Sequence, residues 1–243
     1  MRNNRENPLM DHAQIAGELR ALAEGDEYAA FNKKIANTEK TVLGVRMPAM
    51  RKFSKALAKG MGAEEVRGVL AEADKEIYEQ TLLAGLLINA AKLTDEERIG
   101  LARAYLVYAD SWALIDLFAE KMKRFDRGLW WAFLTECLRA PEEYTVRFGV
   151  VELMANFLDG EEDVRAVFKA LRGVRHDGYY VKMGLAWLYA TAAIDCYELT
   201  MAEMRDEGID AWTRRKALTK MIESYRITDA QKEEIRALRA ALR

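Results

Sequence analysis

Trp112 and Asp116 are the residues whose types and spacing are most suggestive of chemistry. They stand four apart in segment 110–118, where Asp110 or Ser111 can cap the first N–H groups of a helix and helix-forming residues follow. Residues four apart share a helix face, so the indole and the carboxylate are expected to point the same way. Their neighbours in the segment are mostly apolar. A carboxylate beside an aromatic plane is suited to stabilising a cation.

Other unusual side chains lie on predicted helices further along the chain. Arg147 stands beside Phe148 in an apolar stretch, and Trp187 follows Gly184, whose missing side chain permits the close approach of another backbone. Two short basic groups complete the candidate set. They contain Arg46 and Arg51 around Pro48, and Arg214, Arg215 and Lys216.

Each candidate also has a purely structural interpretation. A tryptophan in a helical repeat is more often a core residue than a site residue. Asp116 and Arg147 could form an inter-helix salt bridge, and a basic run is usually a solvated face. On the pattern alone, these interpretations and the functional ones stay open.

Composition and motifs exclude several classes of protein. No phosphate-binding glycine loop, dinucleotide fingerprint, zinc-protease motif or serine-hydrolase elbow occurs, and only two histidines are present, so we expect no metal and no cofactor. The two cysteines are too few for a disulfide framework. No apolar run is long enough to span a membrane and no secretory signal is visible, so we expect a cytoplasmic protein. The net charge of −2 argues mildly against DNA binding and requires any DNA surface to be a local basic patch.

The composition predicts an all-α fold. Ala, Leu, Glu, Lys and Arg dominate, prolines are only three, and alternating β-branched runs are absent. Thr94–Glu97 and Thr228–Gln231 resemble capping boxes, and the 37–46 stretch is expected to be a loop. Helices are predicted at about 10–24, 27–36, 48–60, 63–71, 74–91, 95–108, 111–124, 127–139, 141–158, 162–171, 178–195, 197–206, 210–223 and 229–241.

Taken in pairs, these helices recur at the spacing of HEAT-like or armadillo repeats. The prediction is therefore an α-solenoid, a superhelix of HEAT-like helical repeats whose concave side binds the partner. No linker rich in Gly, Pro or Ser divides the chain, so a single domain is expected over residues 1–243, with a flexible N-terminus at residues 1–9. A solenoid of this size is most simply a monomer.

Five segments, in order and spanning most of the chain, resemble the AlkD-like DNA alkylation repair family. They are Leu43-Gly-Val-Arg-Met-Pro48, Glu79-Gln-Thr-Leu-Leu-Ala-Gly-Leu-Leu-Ile88, Asp110-Ser-Trp-Ala-Leu-Ile-Asp116, Tyr144-Thr-Val-Arg147 and Tyr180-Val-Lys-Met-Gly-Leu-Ala-Trp187. The resemblance implies the same solenoid of HEAT-like repeats.

The resemblance also implies a function. Members are alkylpurine DNA glycosylases of base-excision repair, hydrolases that release cationic lesions such as 3-methyladenine and 7-methylguanine from duplex DNA. It implies that Asp116 is the catalytic aspartate, that Trp112 and Trp187 face the DNA groove, and that Arg147 contacts a phosphate. Alkylated duplex DNA is then the partner, and the protein would associate with the nucleoid while acting. The four residues are expected to share one concave basic surface. The alternative is a non-catalytic HEAT-like module that binds DNA structures or a protein partner through the same face.

Overall fold

The computed structural model describes residues 10–242, and all regular structure in this range is helical, as predicted. The N-terminus predicted to be flexible, residues 1–9, lies outside the described part of the chain. Fourteen helices occur between residues 10 and 242, together with two isolated β-bridges. The chain divides into two compact units, with the boundary between Phe118 and Ala119. We describe each unit by itself, and the single domain over 1–243 stays a prediction.

Unit 1 contains the seven helices α1 (His12–Ala21), α2 (Asp26–Ala36), α3 (Met47–Leu57), α4 (Ala63–Glu72), α5 (Tyr78–Ala90), α6 (Asp95–Leu106) and α7 (Trp112–Phe118). It is organised around α5, which is buried on nearly every side, as expected for a helix surrounded by other helices. Helix α5 packs against α1, α3, α4, α6 and α7, and α7 also contacts α2.

Unit 2 contains the seven helices α8 (Arg127–Cys137), α9 (Glu143–Asn156), α10 (Glu161–Leu171), α11 (Tyr179–Asp195), α12 (Tyr197–Met204), α13 (Ala211–Glu223) and α14 (Asp229–Ala241). Helices α9, α11 and α13 pack side by side and form one layer. Three of the helices that alternate with them pack against this layer, as the α8–α9, α11–α12 and α13–α14 contacts show, and α10 packs against α12. This alternation is the arrangement of a helical-repeat protein.

The helix starts agree better with the sequence predictions than the helix ends do. Both predicted capping boxes are present, at the starts of α6 and α14. The prediction that α7 continues to residue 124 is wrong, because α7 ends at Phe118. There the carbonyl of Phe118 accepts a hydrogen bond from Asn89 Nδ2 at 2.6 Å. Further on, Asn156 binds the backbone of Glu120 and Met122, which holds that segment in a non-helical course.

Candidate functional site

Trp112 is held in unit 1 by the end of a neighbouring helix. Its indole Nε1–H donates to the carbonyl oxygen of Ile35 at 3.1 Å. Ile35 lies in the last turn of α2, where carbonyl groups have no partner inside their own helix. Ser111, rather than Asp110, caps α7, because its Oγ accepts the Leu114 N–H at 3.3 Å. Asp110 is instead bound by the hydroxyl of Thr38 at 2.7 Å. Two side-chain bonds therefore join the end of α2 to the start of α7.

Trp112 and Asp116 line one open cavity of about 220 Å³. Both side chains are partly exposed, and they lie one turn apart on α7. The rest of the lining is mostly apolar. It consists of Asn32, Ile35, Ala36, Val45, Met47, Tyr78, Leu82, Ala113 and Leu117.

The phenol of Tyr78 stays neutral over the physiological range. Burial raises its pKa well above the usual value, and the nearby carboxylates of Glu79 and Asp110 raise it further. Tyr78 therefore does not supply a base. Asp116 is the one carboxylate in the cavity lining.

In unit 2, α9 holds the backbone of Tyr180 from both sides. Glu143 Oε1 accepts the Tyr180 N–H at 2.6 Å, and Arg147 Nη1 donates to the Tyr180 carbonyl at 2.7 Å. Glu143 thereby caps one of the first N–H groups of α11 from the neighbouring helix. Arg147 itself is only 5% exposed and lies against Gly184, so its first visible role is to fix α11 on α9.

Trp187 lies one turn beyond Gly184 on α11 and is 38% exposed. Residues three apart share a helix side, so Trp187 extends from the side of α11 that Arg147 contacts. Two lysines of the next helix, Lys216 and Lys220, are four apart on one face of α13. Burial lowers the pKa of Lys220, and the positive charges of Lys216 and, more weakly, Arg147 lower it further. Arg147, Trp187, Lys216 and Lys220 form what we call the cationic face of unit 2.

Two more predicted DNA-binding residues of unit 1 lie at the start of α3. Arg46 is exposed at the start of α3, where it pairs with Glu24 and lies 4.4 Å over the ring of Tyr28. Arg51 is exposed on the next turn of α3.

The basic run on α13 divides between different sides of the helix. Arg214 is buried, and its Nε–H has no acceptor among the described residues. Arg215 is exposed and donates to the carbonyl of Leu242 at 2.7 Å. Only Lys216 of the three belongs to the cationic face.

Several features of the candidate site were not predicted from the sequence. The carbonyl of Ile35 that holds Trp112 is 77 residues away along the chain, and no local pattern indicates it. Lys220 stands four residues after Lys216, and this spacing was a usable signal. Glu143 likewise precedes Arg147 by four residues, which places both on the side of α9 that meets α11.

Some kinds of site are not found in the described residues. No group of three or more potential ligand side chains there could hold a metal ion. Between residues 10 and 242, no helix is long and apolar enough to cross a membrane.

The fold and these residues define a helical-repeat protein with an indole–carboxylate cavity in unit 1 and a cationic face in unit 2. The sequence profile of the family described as DNA alkylation repair enzyme matches residues 15–232. The match covers most of the chain, and the protein belongs to this family, as the sequence motifs predicted. Its role is therefore in DNA alkylation repair. Neither the curated proteins nor the solved structures include a match to this chain.

Proposed function

We propose that this protein is a DNA glycosylase that hydrolyses the N-glycosidic bond of cationic alkylpurines, such as 3-methyladenine and 7-methylguanine, in duplex DNA. The observation that carries the proposal is the placement of Trp112 and Asp116 together in one open, apolar cavity. Membership of the DNA alkylation repair family supplies the context, because N-alkylation at these purine positions leaves the base positively charged.

The chemistry of the reaction fits a carboxylate beside an indole. As a cationic purine departs, positive charge moves onto the deoxyribose, and the transition state resembles an oxocarbenium ion. A carboxylate fixed in a partly desolvated cavity, here Asp116, stabilises that charge and can position the attacking water. The face of Trp112 attracts the same charge through its π electrons.

No protonating acid is required by this mechanism. The leaving purine already carries the charge that a general acid would otherwise provide. The cavity lining agrees with this requirement, since it contains no histidine and its tyrosine, Tyr78, is held neutral as a weak acid. Asp116 is the single carboxylate that the mechanism uses.

The size of the cavity favours reaction at the sugar of a lesion that remains in the duplex. At about 220 Å³ it is smaller than the roughly 300–1,000 Å³ typical of pockets that enclose a whole ligand. Most glycosylases extrude the base into an enclosing pocket. Here we propose that Trp112 and Asp116 meet the deoxyribose and that the base is not extruded into the protein.

The cationic face of unit 2 is the proposed contact for the DNA backbone. Lys216 and Lys220 offer charge to phosphates, and the planar guanidinium of Arg147 offers further N–H donors beside them. Trp187 adds an exposed aromatic surface, and we propose that it faces the groove. Arg46, Arg51 and Arg215 are proposed as further contacts. Arg147 and Arg214 are 5% and 9% exposed, so either guanidinium reaches a phosphate only after its side chain rearranges.

Release of free 7-methylguanine from methylated duplex DNA is the experiment that tests this function. At a salt concentration of about 50 mM, where phosphate contacts are strong, the protein should release the base over many turnovers. Release that is absent while the protein still binds the duplex would replace the glycosylase with a non-catalytic DNA-binding module. If duplex binding were also undetectable, a protein partner would be the better assignment for the helical-repeat surface.

A further inference from the structure

The backbone of residues 43–45 is bound by a single buried side chain. The carboxylate of Glu79, on α5, accepts the N–H groups of Leu43 and Gly44 at 2.8 Å each and that of Val45 at 3.2 Å. Glu79 is 1% exposed, and no ion pair to a cation is found for it among the described residues. A buried carboxylate is costly unless hydrogen bonds compensate it, so these three bonds specify the position of the loop.

The same loop is held on its other side by α2. Gly44 has a φ of +85°, and a Cβ there would come within 3.0 Å of the backbone nitrogen of Ala29. Its carbonyl accepts the N–H of Glu24 at 3.0 Å, just before α2 begins. The loop therefore lies between α5 and α2, and its fixed position limits where α2 can lie. Since α2 also carries the Ile35 carbonyl that binds Trp112, the contacts form a continuous series from Glu79 to the indole.

The residues that follow this attachment form a wall of the cavity. Val45 and Met47 line it together with Trp112 and Asp116. Glu79 itself lines no part of the cavity, although Tyr78 and Leu82 of the same helix do.

We propose that Glu79 is a positioning residue of the candidate site, which fixes the 43–45 loop and, through α2, the indole of Trp112. The proposal concerns the geometry of the cavity, and only its kinetic consequence rests on the proposed glycosylase function. Glutamine has the same shape as glutamate but only one acceptor oxygen, so Glu79→Gln must leave at least one of the three N–H groups without its partner.

Amide and indole hydrogen exchange measured by NMR tests the proposal without any assay of activity. The indole signal of Trp112 is assigned by its loss in Trp112→Phe. The remaining acceptor oxygen in Glu79→Gln keeps most bonds at the position that accepts Gly44 and Val45, which leaves the Leu43 N–H facing the amide nitrogen. In Glu79→Gln, exchange of the Leu43 amide and of the Trp112 indole should both rise about tenfold or more, which corresponds to about 1.4 kcal/mol of lost protection. The matched control is Val66→Ala, which removes fully buried atoms on α4 away from the cavity.

The outcomes separate a positioning role from a merely structural one. If Glu79→Gln lowers stability as Val66→Ala does but leaves the Trp112 indole unchanged, the proposal is overturned. If Glu79→Gln does not fold, Gly44→Ala strains the same loop from the α2 side and should also speed exchange of the indole. An unchanged indole in that variant would equally overturn the proposal.

A kinetic comparison then separates this proposal from the glycosylase itself. If the wild type releases base, Glu79→Gln should lower kcat about tenfold. KM should change little, because the proposed phosphate contacts of unit 2 are unaffected. Equal rates in Glu79→Gln and Val66→Ala would contradict the positioning role. If the wild type releases no base but the exchange results are as expected, the glycosylase fails and the positioning role of Glu79 stands.

Discussion

At the scale of single residues, the two candidate groups differ in charge. The cavity of unit 1 contains one carboxylate, and the cationic face of unit 2 contains a pair of lysines. Asp116 lies in an apolar cavity whose other ionisable group, Tyr78, is held neutral by burial. Lys220 lies beside a like charge, Lys216, and is partly buried, which disfavours its charged form. The charge of Lys220 is therefore costly to the free protein and is suited to an anionic ligand such as a phosphate.

Lys220→Met should raise the free energy of unfolding near pH 7 and weaken DNA binding. Burial and the charge of Lys216 lower the pKa of Lys220 in the folded state, so folding disfavours a charge that the unfolded chain tolerates. For the same reason, the wild type should gain stability as the pH rises from the lowered pKa toward about 10.4, because there the unfolded chain binds more protons than the folded one.

Urea unfolding of the two proteins between neutral and alkaline pH checks the effect of Lys220→Met. The stability difference between them should shrink as the pH rises. Lys169→Met, on the exposed side of α10, is the control and should change the unfolding free energy by no more than about 0.5 kcal/mol. A loss of stability in Lys220→Met at neutral pH would contradict the account.

The sequence predicts which of these side chains share a helix face, because that depends only on local spacing. The four-residue spacing of Trp112 and Asp116 placed both side chains at the same cavity, and that of Lys216 and Lys220 would have paired the lysines. The bond from Trp112 to Ile35 and the burial of Arg214 depend on which helices become neighbours. Neither follows from a local pattern. Arg214, Arg215 and Lys216 carry the same charge, so their sequence does not indicate which of them is buried and which is exposed on α13.

At the scale of elements, α9 and α11 are joined by a polar contact rather than by packing alone. Glu143 and Arg147 bind the N–H and the carbonyl of Tyr180, and Gly178 leaves the space that Glu143 occupies. The start of α11 was predicted from sequence as residue 178, one residue before its observed start. The partner that caps this helix was not predicted, because it lies on another helix.

Gly178→Ala should destabilise the protein, whereas Gly100→Ala should stabilise it. A Cβ at Gly178 would contact Glu143 Oε1 and lie 2.7 Å from His176 Cε1, so Glu143 must move and the bond to Tyr180 is lost, at a cost of about 1 kcal/mol or more. A Cβ at Gly100, on α6, meets nothing within 4 Å, and replacing glycine in a helix gains about 0.5–1 kcal/mol.

Thermal or urea unfolding of these two variants and the wild type provides the measurement. The same chemical change should give opposite signs at the two positions. Equal stability changes in both would show that the Glu143–Tyr180 contact contributes little.

The elements themselves were largely predictable, and their ends less so. Capping boxes are local, and both predicted ones are present. The end of α7 is set by Asn89, which is distant in sequence, and so the predicted helix was six residues too long. Helix starts are encoded in neighbouring residues here, whereas this end is determined by tertiary contacts.

At the scale of the whole molecule, the net charge of −2 does not favour DNA binding, whereas the cationic face of unit 2 does. The salt dependence of the DNA affinity measures the contribution of that face. If Arg147, Lys216 and Lys220 contact three phosphates, the logarithm of the DNA affinity should fall with the logarithm of the salt concentration with a slope of about −2.7. Replacing Lys216 by Met should reduce that slope by about 1.

Fluorescence titration of a labelled duplex at several salt concentrations measures both slopes. Lys169→Met serves again as the control and should keep the wild-type slope. A slope that does not change in Lys216→Met would remove the cationic face from the DNA-binding surface.

Single-turnover release of 7-methylguanine from methylated duplex DNA by Asp116→Asn is the most direct test of the central claim. The amide keeps the shape of the carboxylate but lacks its charge, so the rate should fall about 100-fold or more while the fold and the affinity for DNA are retained. Asp229→Asn, at the exposed start of α14, is the matched control and should release base at the wild-type rate. Equal rates in the two variants would contradict the assignment of Asp116 as the catalytic carboxylate.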